Sequence, residues 1–63
     1  MKVNREELYL AMARKCMGPE DICRKAKMPR PTLNGAINGR NIRPVTLGKI
    51  AAALGVEPEE IIE

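Results

Sequence analysis

With 63 residues, 44% of them hydrophobic, the chain has material for one small folded core, so a single domain over residues 1–63 is expected. Eleven Lys and Arg against eight Asp and Glu give a formal charge of +3, a balance that favours an anionic partner. The chain holds no His, Ser, Gln, Trp or Phe and only one aromatic residue, Tyr9, and these absences exclude whole mechanisms.

The first residues, Met1 to Lys15, mix acidic and basic side chains and lack the apolar stretch of a secretory signal. A first helix is expected from about Asn4, its N-cap, to Lys15, with Glu6 and Glu7 at the positive end of the dipole and Lys15 at the negative end. Leu8, Ala11, Met12 and Cys16 form its inward stripe. A second helix follows Gly18, with Pro19 preset for the first helical position. It should bury Ile22, Cys23 and Ala26 and stop near Lys27, because Pro29 disfavours a helical residue before it.

The third helix starts around Arg30-Pro31 and ends at Asn38-Gly39, with Gly39 as its left-handed cap. Leu33, Ala36 and Ile37 fall at i, i+3 and i+4, on one face. Pro31, Asn34, Gly35 and Asn38 then lie on the opposite side. The fourth helix spans Pro44 to Leu54, capped by Gly55, with Leu47, Ile50, Ala51 and Leu54 inward. A short fifth helix is expected after Pro58, anchored by Val56 and Ile61. No alternating β pattern and no hairpin signal occurs, so the fold class is all-α with five helices.

Charge is distributed unevenly along these elements. No acidic residue occurs between Asp21 and Glu57, whereas that interval carries Arg24, Lys25, Lys27, Arg30, Arg40, Arg43 and Lys49. The last seven residues then hold Glu57, Glu59, Glu60 and Glu63 and no cation. A purely positive middle segment is what neutralising nucleic-acid phosphates requires, since each neutralised phosphate releases counterions, but taken alone it fits a plain solvated basic face equally well.

The chemistry of sites narrows the choice further. Without Ser or His there is no Ser-His-Asp triad, and neither cysteine has its usual activating base. Two cysteines cannot complete a four-ligand zinc site. One ring offers no stacking platform for single strands. No enzymatic activity, metal, cofactor or small-molecule substrate is expected. The longest apolar run, Ile50-Ala51-Ala52-Ala53-Leu54, is far below the about 20 residues of a membrane helix. Cys16 and Cys23, seven positions apart, do not resemble the framework of a disulfide-stapled secreted domain, so reduced thiols and a cytoplasmic location are expected.

The stretch from Gly18 to Gly39, GPEDICRKAKMPRPTLNGAING, resembles a helix-turn-helix. Ile22, Ala26, Met28, Leu33 and Ala36 hold the spacing that packs two short helices steeply, and the small Cys23 sits at their closest crossing. Together with the downstream run TLGKIAAALGVEPEEII, the chain from about Glu6 to Ile62 is similar to the lambda-repressor-like family, also called Cro/CI-type or XRE-type. Some positions depart from the family pattern: Pro19 replaces a common Gln, and Pro29 replaces a side-chain cap. Lys27 stands at the turn position usually held by Gly, where a left-handed backbone would cost about 1 kcal/mol.

The resemblance implies a sequence-specific regulator of double-stranded DNA, a repressor acting by steric block, with helix three in the major groove. Arg30 would fork onto guanine and Asn34 onto adenine, with Pro31 and Gly35 close to the bases. Thr32, Asn38, Arg40, Asn41 and Arg43 would contact phosphates, as would the first amides of helix two. A homodimer is expected through Val56, Ile61 and Ile62, with Tyr9 and Leu10 as a second apolar patch. The competing reading is an antitoxin-like or adaptor module that binds a protein with the same fold. That reading predicts a partner-binding tail, for which little follows the fifth helix.

Overall fold

The computed structural model describes residues 1–63. It contains α1 (Arg5–Lys15), α2 (Pro19–Ala26), α3 (Arg30–Ile37) and α4 (Pro44–Leu54), followed by one 3-10 turn at Pro58–Glu60. Asn4 caps α1 by accepting the Glu7 N–H at 3.1 Å. Pro19 opens α2, where the Asp21 carboxylate turns back to accept the Gly18 N–H at 2.8 Å. α4 runs over the expected residues.

All four helices end in the same hydrogen-bonded motif, in which a left-handed residue lets the next amide reach back five positions. Met17 N–H donates to Met12 O, Met28 to Cys23 O, Arg40 to Gly35 O and Val56 to Ala51 O, at 3.0–3.1 Å. Gly39 and Gly55 take the left-handed conformation freely. Cys16 (φ 53°) and Lys27 (φ 55°) take it as non-glycine residues, at a cost of about 1 kcal/mol each. In three helices the residue after the bend is apolar and packs on the core: Met17, Met28 and Val56. In α3 that place is held by Arg40, which is exposed.

The core is one cluster of 14 buried residues that contains no polar side chain. α4 crosses α1 and α2 and supplies Leu47, Ile50, Ala51, Ala53 and Leu54, while α2 gives Ile22 and α3 gives Leu33 and Ala36. Cys23, Ala26 and Ile37 are half-buried at its margin. No helix is long and apolar enough to cross a membrane.

Three expectations need correction. Cys16 does not point inward: the chain has already turned left-handed there, and the thiol is exposed. The fifth helix is only the 3-10 turn, because the chain leaves it at once to pair with the N-terminus. Asn4 N–H donates to Ile61 O at 2.8 Å, Glu63 N–H to Lys2 O at 3.0 Å, and Val3 bridges Ile62. For the same reason Ile61 is not a dimer surface. It is 0% exposed, a core residue beneath Val3 rather than a contact for a second subunit. Val56 and Ile62 are half-buried, so apolar area remains at both.

Candidate nucleic-acid interface

α3 begins at Arg30 and Pro31, after Pro29, whose extended backbone (φ −70°, ψ 151°) turns the chain into the helix without a side-chain cap. Burial of Leu33 and Ala36 fixes the rotation of the helix about its axis. That rotation leaves Arg30, Pro31, Asn34 and Asn38 exposed and Gly35 half-exposed. The Arg40 side chain lies against this side at Gly35, and the rest of the face is open.

Arg30 and Asn34 meet one turn apart. Arg30 Nε donates to Asn34 Oδ1 at 3.2 Å, and Arg30 Nη1 lies 3.9 Å from a Glu20 carboxylate oxygen. With Nε engaged, Nη2 is free and Nη1 has only the long Glu20 contact, while Asn34 keeps its amide N–H groups. The Glu20 pair is weak, since the Glu20 side chain is 82% exposed.

Beside this pair lies an open notch of about 250 Å³ between α3, the 40–43 loop and the start of α4. Pro31, Thr32 and Gly35 form one wall, Arg40 to Arg43 the other, and Thr46 the end. Two cations and no anion line it. Gly35 forms the floor under Arg40. A Cβ built on Gly35 would come 3.5 Å from Arg40 Cδ, which is ordinary contact, so the free protein does not require glycine there.

The notch thus gathers Pro31, Gly35, Thr32, Arg40, Asn41 and Arg43, six of the nine residues singled out from the sequence. Arg30 and Asn34 stand next to each other outside it, and Asn38 lies further along α3. The start of α2 is less suited to an anion than expected. Pro19 has no N–H, the Asp21 and Ile22 amides already donate to Gly18 O, and Glu20 and Asp21 add negative charge.

The chain matches the model of the Cro/C1-type HTH DNA-binding domain over residues 7–63. It belongs to the Cro/C1-type helix-turn-helix family. A similar structure is that of the restriction-modification controller protein C.AhdI from Aeromonas hydrophila, with a TM-score of 0.77 and 28% sequence identity over 89% of this chain and 86% of that one. No curated protein sequence matches the chain. This Cro/C1-type chain is therefore a DNA-binding helix-turn-helix protein, and α2 and α3 form the motif.

Three residues escaped the sequence reading. Thr46 closes the notch from the first turn of α4, a helix read from the sequence only for its buried stripe. Val45, on the same turn, is 67% exposed although apolar. Arg5 Nε donates across the fold to Ile37 O at 3.0 Å. The hydroxyl of Thr46, one of only two threonines and set among cations, was a signal available in the sequence. Arg5 offered none, since its partner is a main-chain carbonyl 32 positions away.

Proposed function

We propose that this protein is a sequence-specific regulator of transcription that binds double-stranded DNA through α3 in the major groove and represses by steric block. The observation that carries this reading is the junction of an uncovered α3 face with an anion-free notch. A helix end carrying Arg30 and Asn34 suits base edges, and a rim carrying Arg40 and Arg43 suits the flanking phosphates. The likeness to a controller protein supports a regulatory role.

In this reading Arg30 gives up its weak Glu20 contact and turns both terminal nitrogens to guanine O6 and N7, while Asn34 braces Nε and offers its own N–H groups to the neighbouring base. Pro31 and Gly35 allow the helix close to the groove floor. Thr32, Asn38, Arg40, Asn41 and Arg43 hold phosphates and fix the register. One such unit grips only a few base pairs, and each is worth about 1–3 kcal/mol, too little to single out one site among a genome of competitors. Two copies on half-sites one helical turn apart overcome this, and we assign the half-buried Val56 and Ile62 to the homodimer contact.

Selection from a random duplex pool, followed by salt titration on the winning sequence, tests the reading. Neutralising five or six phosphates per subunit gives a log–log slope near −5 for one bound subunit and near −10 for the pair. Paired half-sites separated by one turn are expected. Affinity without sequence preference contradicts the proposal, and no duplex affinity contradicts it in favour of a protein-binding adaptor.

Gly35→Ala separates the two surfaces of α3. The added methyl meets no obstacle in the free protein, and alanine improves the helix by about 1 kcal/mol. Thermal unfolding should therefore shift upward while binding to the selected duplex weakens. A variant that is more stable and binds equally well would remove close approach at Gly35 from the account.

A further inference from the structure

The last four carbonyls of a helix have no partner within it, and in α3 each finds one outside. Asn34 O accepts from Asn38 N–H at 2.9 Å, Gly35 O from Arg40 at 3.0 Å and Ala36 O from Gly39 at 3.2 Å. Ile37 O accepts from the Arg5 side chain at 3.0 Å. α3 is also the only helix of the helix-turn-helix with no charged residue of its own at the favourable ends: none acidic in the first turn and none basic in the last. Arg5 thus supplies both the fourth hydrogen bond and the missing cation at the negative end of the α3 dipole. A second tie lies five residues on, where Ile42 N–H donates to Met1 O at 2.7 Å. Val3, buried between these two ties, anchors the segment that makes them.

We propose that Arg5 is a positioning residue for DNA binding: it clamps the last turn of α3 and, with the Met1 tie, fixes the stretch from Ile37 to Ile42 that carries Asn38, Arg40 and Asn41. The inference rests on the DNA-reading assignment above. Arg5 itself touches no phosphate. Its contribution is to keep this stretch in its bound shape before DNA arrives, so that binding does not have to order it. Loss of the clamp lowers the fraction of molecules ready to bind, and apparent affinity falls by that fraction.

Arg5→Met keeps length and removes the donor and the charge; Arg5→Lys keeps a cation that can reach Ile37 O. Three readouts are taken: affinity for the selected duplex, its salt slope, and amide hydrogen exchange in the free protein. Arg5→Met should bind about two- to fivefold more weakly, the range a helix-end cation accounts for, with an unchanged salt slope. Exchange should quicken at Asn38, Gly39 and Arg40 and not at Gly55 and Val56, which end α4 in the same motif. Arg5→Lys should recover most of the affinity. A slope shallower by about 0.9 per bound subunit would make Arg5 a phosphate ligand and overturn the proposal. So would unchanged affinity, or exchange quickened equally at the ends of both helices, which is general loosening. Wild-type protein that binds no duplex would defeat the DNA-reading assignment itself, whereas normal wild-type binding with an indifferent Arg5→Met defeats only the clamp.

Discussion

Leu33→Ala is expected to cost about 2–5 kcal/mol of stability, the range for truncating a buried leucine. Leu33 is 0% exposed and sits on the inner face of α3 among core residues from several elements. Removing three carbons there loses the burial of the side chain and leaves a void that short helices joined by tight turns cannot collapse. For a chain of this length, total stability is of the order of 3–9 kcal/mol. The substitution therefore removes about half of it at mid-range, and urea melts should show the midpoint moved to much lower denaturant. Asn34→Ala, one position along on the exposed side, should stay within about 0.5 kcal/mol of wild type. Equal losses at the two positions would mean that α3 is rotated differently from the arrangement described.

Arg30→Ala should reduce affinity for the selected duplex by about 5- to 150-fold, equivalent to the 1–3 kcal/mol of one bidentate base contact. The loss should vanish on duplexes changed at the single base pair that Arg30 reads, so discrimination at that pair disappears while preferences elsewhere persist. Arg40→Ala supplies the contrast. Arg40 projects over Gly35 into the notch with no acidic neighbour there, and as a phosphate ligand it carries no sequence information. Its removal should weaken all duplexes alike and make the salt slope shallower by about 0.9 per bound subunit. Binding across a panel of single-base variants, measured at several salt concentrations, resolves the two patterns. Identical profiles for both variants would erase the division between reading and anchoring.

The parts of the fold legible in the sequence were those governed by local rules. Pro44 and Gly55 bracket α4 because one presets the first helical φ and the other accepts the left-handed cap, and the apolar spacing between them does the rest. At Lys27 the family resemblance left a left-handed backbone or a different turn open, and the residue takes the left-handed one. Cys16 was misread because hydrophobic periodicity extends one residue past the point where the backbone turns. The signal there was not Cys16 but Met17 after it, whose N–H reaches back to Met12 and whose side chain packs on the core.

What was not legible depends on residues far apart in the chain. Val3 carries no periodic pattern, yet it is buried because residues 61–63 come back to pair with it. That pairing is also why Ile61 is inside and why Pro58–Glu60 stops after one 3-10 turn. Six of the nine candidate site residues converge on one notch because α3 and the 40–43 loop are adjacent in sequence, so local reasoning carries over. Thr46 reaches the notch from α4 and Arg5 reaches the last turn of α3 from α1, and both needed the tertiary arrangement to be found.

The central claim is that the uncovered side of α3 lies against base edges. The most direct measurement is intermolecular NOEs between labelled protein and the selected duplex. Contacts from Pro31 and Gly35 protons to major-groove protons, such as thymine methyls and cytosine H5, are expected, with amide shifts running through Arg40 and Thr46. Contacts arising instead from Tyr9 and Leu10 on α1, with α3 resonances unmoved on saturation, would contradict it.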